Sequence, residues 1–565
     1  MFSMKKTINS LPEVFILMVI IALGFILRIY QISELPSGLH IDEIQVGYNA
    51  LSLAQTGKDE LGTFLPTHLP IWGYERPAGI FYLTIPGVLV FGLNEMGTRF
   101  PSVILGTLTI VLVYFVAIIL FKNKRVALIS SFLLAVSPWH IVLSRATSEA
   151  VVSLFFYLAG TILFLIYSEI NKNKFFLALV GYLLYLISFF SYHSTRLTIP
   201  IVMLFLAILA VKEKKQNLKI LLFFFLLYLI FPLALFYKTS MSRFNQVSVF
   251  HEPGTQLILE EQIREDGAEF PYLITRLVHN KLVNYSLRLS QNISSYFTYD
   301  FLLYKGGAPA RYIVPNMGLI YFLELPFFIW GIILFFRKSF LEISLKYKIF
   351  IAMWIFLGVF SSSLTTEETP NIQRALFVLP MIQLIIAYGF LDLYTKINSK
   401  LYKRVGVSIL AMIFIFNIYY FFHQYFIHTV THQPWHRFYE MKELASYINS
   451  VKGKYGNIYL TQDSTEPYIF LHFYNQTPVK TFQEMVRQKG LSYVWNNYEN
   501  VKIVREDCPY KFLKFPPKDL LIIRGICKIP PGAKIIKTIN YTDGNPALYA
   551  IEKVKSDNKL TEQSR

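Results

Sequence analysis

Asp42 and Glu43 stand side by side in SGLHIDEIQVGYNA (residues 37–50), shortly after an apolar run long enough to cross a membrane. Adjacent carboxylates at a water–lipid boundary can open a helix, hold a metal ion or serve as a catalytic base. Asp is a favoured helix cap and acids suit the first helical turn, so a structural use is open on sequence physics alone. The same loop carries Glu75 and Arg76 in WGYERPAG (72–79). These two suit a helix start or an exposed ion pair worth little. Glu75 could also coordinate a divalent cation, with His40 as the nearest second donor.

Four further arginines border apolar segments. Arg99 lies in GTRFPS, Arg145 in PWHIVLSRATSEA, Arg196 in SYHSTRLTIP and Arg374 in NIQRALFVLP. Each falls on the side of the membrane where the positive-inside rule disfavours it. A single one is readily explained by snorkelling to headgroups, which is the reading for Arg28. Four together point to an anion held at the bilayer boundary, since guanidinium binds phosphate through charge-assisted, often bidentate bonds. The chain has no P-loop, zinc-type spacing or nucleophile elbow. Aqueous nucleotide chemistry is therefore disfavoured, and no nucleotide cofactor is expected.

The elements that must position these residues are membrane spans. The chain has 565 residues, is 54% hydrophobic and only 16% charged, against roughly 25% charged in a soluble domain. Apolar stretches at 14–30, 98–121, 126–143, 149–170, 175–192, 197–211, 219–237, 317–336, 348–363, 373–394 and 405–424 give about eleven transmembrane helices. The first lacks an A-x-A cleavage pattern and reads as a retained span rather than a signal peptide. The net charge of +18 comes from basic loops at 122–125, 171–174, 212–219, 337–348 and 396–404. They fall on the same side as Lys5 and Lys6, so they read as cytoplasmic topology signals and not as nucleic-acid contacts.

This layout leaves three long outer segments: 31–97, 238–316 and the tail from 425. Within the first, DEIQVGYNALSLAQTG predicts a short amphipathic helix on the membrane surface, with Gly57 as its stop. PAGIFYLTIPGVLVFG predicts a re-entrant or interfacial helix that starts at Pro77, is interrupted by Pro86 and ends at Gly92. In the tail, YEMKELASYINSVKG reads as a helix, and NIYLTQ, DLLIIRG and PALYAIEKV as strands. A small extracytoplasmic α/β domain over 425–555 and a disordered end over 556–565 follow. Cys508 and Cys527 are the only cysteines, and a disulfide and two free thiols are both open. The sequons at Asn284 and Asn292 matter only in an organism that glycosylates them.

The order and spacing of the outer DE, ERPAG, FGLNEMGTRFPSVILGTL, SPWHIVLSRATSE, SYHSTRLTIP and QRALFVLPMIQLIIAYG resemble the GT-C superfamily of membrane glycosyltransferases. Within it, the chain is similar to the protein mannosyltransferase and lipid A aminoarabinose transferase branch. The resemblance is strongest over residues 14–210. It implies a polytopic α-helical catalytic domain over 1–424 and transfer of a sugar from a polyprenyl-phosphate donor on the outer face of the plasma membrane. The acceptor that the resemblance implies is a hydroxyl of a protein, lipid or polysaccharide, and the sequence does not choose among them. It also implies Asp42 as catalytic carboxylate with Glu43 beside it, and Glu75 at the position of a metal-binding glutamate. RYIVPNMG occupies the loop where the partner histidine of that glutamate would stand. Arg76, Arg99, Arg145, Arg196 and Arg374 become candidate ligands of the donor phosphate.

A leaving phosphate needs no general acid, so one carboxylate suffices as base and inversion results, unlike the two-carboxylate sites of most glycoside hydrolases. A transporter or flippase for a lipid-linked anion is the alternative. It predicts inverted repeats and midplane charges, however, whereas the acids here gather in an outer loop.

Overall fold

The computed structural model describes residues 11–71, 74–169, 174–212, 218–267, 269–337, 339, 341–462, 465–509 and 518–553. Lys5, Lys6, parts of three basic loops and the 556–565 end lie outside the described residues. Among the described residues, seven helices are long and apolar enough to cross a membrane, or eight if one bent pair counts as a span. The expected spans at 175–192, 219–237 and 317–336 fall on shorter apolar helices, Phe175–Phe189, Leu218–Ile230 and Glu324–Ile333. In the last of these, residues 317–323 form no helix. The chain is a multi-pass membrane protein.

It divides into two compact units, one of Met1–Tyr30, Thr67–Ile80 and Ser102–Gln424, the other of Gln31–Pro66, Phe81–Pro101 and Tyr425–Arg565. In the first unit, the expected span at 126–143 is two helices, Lys124–Val136 and Pro138–Ser144, bent by 55°. Ser137 caps the second and Pro138 opens it. Proline has no N–H to donate back into the preceding turn, so the bend falls there. Arg28 does not snorkel. It is fully buried and donates to the carbonyls of Gly24, Ala135 and Leu134 at 2.7–3.2 Å, with His140 Nδ1 2.8 Å away. Trp354 stacks on Tyr157 at 4.3 Å, and its indole N–H donates to the Phe377 carbonyl at 2.7 Å.

A two-stranded hairpin, β1 (His68–Ile71) and β2 (Tyr74–Pro77), belongs to the same unit. Pro77 therefore ends a strand, where the sequence suggested a helix start, and the following helix is Gly79–Phe91 with Pro86 inside it. Gly92 closes that helix at φ +82°.

The second unit is built on a six-stranded sheet in the order β4-β5-β3-β6-β8-β7. Its strands are β3 (Ile458–Thr461), β4 (Asn497–Tyr498), β5 (Val501–Val504), β6 (Leu520–Arg524), β7 (Ala533–Asn540) and β8 (Pro546–Lys553). β3 runs parallel to both β5 and β6, while β7 and β8 form an antiparallel pair beside them. Cys508 and Cys527 are joined by a disulfide, with Cα atoms 5.7 Å apart.

The helix Ile41–Thr56 is not amphipathic on a surface. Eleven of its sixteen residues are buried, including Glu43, Gln45, Asn49 and Ser52, because it enters the core formed by helices Glu440–Val451 and Pro467–Tyr474. Gly57 does stop it, in the left-handed region at φ +68°. Gly87 and Gly97 meet backbone to backbone in this unit. A Cβ on Gly87 would strike the Gly97 carbonyl oxygen, and one on Gly97 would strike that of Gly92.

Candidate active site

The N-cap of the Ile41–Thr56 helix is His40, not Asp42. His40 Nδ1 accepts from the Asp42 N–H at 3.2 Å, and the His40 N–H donates to Glu43 Oε2 at 3.1 Å, which completes a capping box. That arrangement satisfies two of the amides a helix start leaves unpaired. Asp42 is released from capping duty. Its side chain is 23% exposed, and Oδ2 lies 3.4 Å from His40 Nδ1. It is a carboxylate fixed in position by its backbone but still open to solvent.

Glu43 faces the other way. Its Oε1 accepts from Arg99 Nε at 3.0 Å and its Oε2 from Arg99 Nη2 at 3.2 Å. Arg99 spends its remaining donors on the carbonyls of Ile32, Pro36 and Gly38. All five of its N–H bonds are used, and the side chain is fully buried. The resemblance implied Arg99 as a phosphate ligand and Glu43 as a catalytic-site neighbour of the base. The geometry instead makes them a buried brace that ties the 32–38 loop to the first turn of the helix.

The tail holds the same helix from its other end. Gln483 Nε2 donates to Ser52 Oγ, Thr56 Oγ1 and the Asp59 carbonyl at 2.8–3.1 Å, and Tyr48 OH donates to the Thr477 carbonyl at 3.0 Å. Lys442 pairs with Glu95 at 2.7 Å. Beyond Gly57, the Glu60 N–H donates to Asn49 Oδ1 at 2.9 Å, while Glu60 Oε2 is buried without a hydrogen-bond partner. Burial, with the Asp59 charge adding, pushes the Glu60 carboxyl up to about 8 against the opposing Asn49 bond. Nothing in the sequence singled this residue out.

The remaining expected residues belong to the first unit. Arg145 is fully buried and donates to the carbonyls of Leu27 and Arg28 at 3.1 and 3.3 Å, so it anchors the end of the first helix. Arg196 lies over the Phe189 ring at 4.6 Å and donates to His68 Nε2 at 3.0 Å. Burial, with Arg196 adding, brings the His68 imidazole down to about 4, so the ring is neutral at pH 7.

Arg76 approaches Glu149 at 3.8 Å, and Glu75 stands opposite Pro70 in the hairpin. Arg374 donates to Thr365 Oγ1 and to Glu367. Burial raises the Tyr192 hydroxyl, an effect the Arg374 charge opposes and the Glu149 charge reinforces. Tyr296, close enough to feel the Arg374 charge, also lines a small apolar cleft with Trp139, Phe301, Phe328, Ile355 and Val378.

A metal ion would find few donors here. Among the described residues, no group of three or more His, Cys, Asp and Glu side chains could hold one, and His40 Nδ1 is committed to the helix cap.

Residues 75–236 match the family model described as dolichyl-phosphate-mannose-protein mannosyltransferase. This match takes in Glu75, Arg76, Arg99, Arg145 and Arg196 but not Asp42. An uncharacterized protein of Aquifex aeolicus is 23% identical over 379 residues, covering 65% of this chain and 70% of its own. The fold is similar to ArnT from Cupriavidus metallidurans in the apo state, with a TM-score of 0.50 at 11% identity over 95% of this chain and 97% of that one. The archaeal oligosaccharyltransferase AglB from Archaeoglobus fulgidus aligns with a TM-score of 0.48 at 12% identity, covering 91% of this chain and 69% of that one.

Proposed function

Starting from a chain with the GT-C membrane-glycosyltransferase fold, we propose that it transfers a sugar from a polyprenyl-phosphate carrier to a hydroxyl on the extracytoplasmic side, with inversion and with Asp42 as general base. The observation that carries this reading is the division of labour at the helix start. His40 and Glu43 box it and Arg99 braces Glu43, while the Asp42 carboxylate stands beside His40 at the head of the helix and is 23% exposed, where an acceptor hydroxyl can reach it.

In the proposed step Asp42 takes the proton of the acceptor O–H as that oxygen attacks the anomeric carbon. The bond from that carbon to the phosphate oxygen breaks, and the polyprenyl phosphate departs with the electron pair. The phosphate already carries negative charge and is a good leaving group, so base and phosphate stabilisation are what the protein must supply. Of the expected arginines, Arg76 and Arg374 are assigned the phosphate. Arg99 and Arg145 are withdrawn, because backbone carbonyls and Glu43 occupy them. No step is assigned to a metal. On this reading the N-terminus lies in the cytoplasm and the sheet-bearing tail outside, an orientation that the positive-inside rule supports.

The test is sugar transfer in nanodiscs from a panel of polyprenyl-phosphate sugars, with wild type beside Asp42→Asn at matched thermal stability. Removing the base should lower kcat by about 10²–10⁴-fold, and NMR of the product should show inverted anomeric configuration. Full activity in Asp42→Asn would remove the base assignment. Retained configuration would remove the single displacement, and transport of lipid-linked substrate without turnover would favour the transporter.

A further inference from the structure

Residues 270–299, in the loop that follows the Leu218–Val247 helix, have their polarity arranged inside out. Helices Tyr272–Val278 and Lys281–Ser295 bury Thr275, Asn284 and Asn292. Asn284 Nδ2 donates to Gln262 Oε1 at 3.1 Å, and Asn292 Nδ2 to the Ser363 carbonyl at 2.9 Å. The apolar side chains point away, with Tyr272, Leu273, Leu277 and Leu282 between 67 and 82% exposed. Held in water, such a surface forgoes roughly 25 cal/mol for each Å² of apolar area left wet. A continuous patch of this kind marks an interaction surface.

Charge identifies the occupant. From Phe270 to Tyr299 the chain contains Arg276, Lys281 and Arg288 and no acidic residue, whereas the preceding residues 252–269 hold Glu252, Glu260, Glu261, Glu265, Asp266 and Glu269. Arg288 is paired with Glu252 at 3.2 Å, but Arg276 and Lys281 lie exposed among the leucines. Arg276 Nε also donates to Tyr272 OH at 3.2 Å, with the guanidinium 5.3 Å from the ring centre. Leucines flanked by an arginine, a lysine and an amphipathic tyrosine, tethered by apolar helices on both sides, match a segment lying in the headgroup region of an anionic leaflet.

We infer that residues 270–287 dock into the bilayer surface, with Leu273, Leu277 and Leu282 reaching the acyl boundary and Arg276 and Lys281 on anionic headgroups. The outer loop at 238–316 is then a membrane-bound platform and not a wholly aqueous loop.

Both native cysteines are occupied in the Cys508–Cys527 disulfide, so introduced thiols can be labelled alone. Nitroxide-labelled Leu273→Cys, Leu277→Cys and Leu282→Cys full-length protein, in nanodiscs of phosphatidylglycerol and phosphatidylethanolamine, is compared with Glu261→Cys by EPR. The expected result is collision with oxygen in preference to a water-soluble nickel chelate at all three leucine positions, and the reverse at Glu261. Adding Arg276→Glu and Lys281→Glu should erase the oxygen preference. Nickel access at the three positions equal to that at Glu261 would overturn the inference. Shielding from both reagents would also overturn it, because it would mean a protein contact.

Discussion

Arg99 Nε lies 3.0 Å from Glu43 Oε1, and the pair is buried one residue away from the carboxylate assigned the chemistry. Neighbours in sequence thus face different surroundings: Glu43 is buried against Arg99, and Asp42 is 23% exposed beside His40.

Breaking that brace should be read in stability before it is read in activity. Arg99→Met strands the Glu43 carboxylate, and removing one partner of a buried pair costs about 3–5 kcal/mol. Thermal unfolding should register this loss. If Arg99 served the donor phosphate instead, Tm would hold and the donor KM would rise.

Arg374→Ala should show the converse pattern. A hydrogen bond to a charged group contributes about 1.5–3 kcal/mol, so the donor KM should rise by about ten- to a hundredfold with little change in Tm. Arg145→Ala, which removes the anchor on the Leu27 and Arg28 carbonyls, should lower Tm without that selective rise. Steady-state kinetics and thermal scans on the two variants separate the cases.

Glu60 imposes a pH dependence on the second unit. Its folded pKa, about 8, lies above that of an unfolded glutamate because of burial and the Asp59 charge. The folded state therefore keeps a proton that the unfolded state has lost between about pH 4.5 and 8. Stability should fall as pH rises through that window, by at most about 1.4 kcal/mol per pH unit from this residue. Asp59, whose pKa is also raised chiefly by burial, adds in the same direction. In Glu60→Gln the slope measured by unfolding from pH 5 to 8 should be shallower. An unchanged slope would mean that Glu60 is ionised in the folded protein.

Losing the Cys508–Cys527 bond, which spans 19 residues of sequence, should destabilise the unit by about 3 kcal/mol on the chain-entropy account. Denaturant unfolding of a Cys508→Ser, Cys527→Ser double variant reads this directly.

The features legible in the sequence were those with local causes. Gly57 reads as a helix stop because a left-handed residue is needed there. NIYLTQ, DLLIIRG and PALYAIEKV read as strands because each is a short apolar run bounded by turn residues or polar chain. Hydropathy located a helix in every expected span. It overrode the Ser137-Pro138 signal, however, although a serine cap followed by proline is a start that could have been seen. The burial of the Ile41–Thr56 helix was not legible, since its partners arrive from more than 380 residues downstream. Nor was the fate of the arginines. Arg28, Arg99 and Arg145 are satisfied mainly by backbone carbonyls, which every residue offers, so no side-chain pattern announces the pairing. His40 was overlooked as a cap because histidine is outside the favoured set.

The Gly87 and Gly97 contact limits how this protein could be reshaped. Alanine at either position would press a methyl group into a carbonyl oxygen of the facing backbone, and Gly97 lies two residues ahead of Arg99 on one helix. Any library meant to vary the protein would have to spare these two positions. Diversity there would be lost at folding, before any selection for altered function could act.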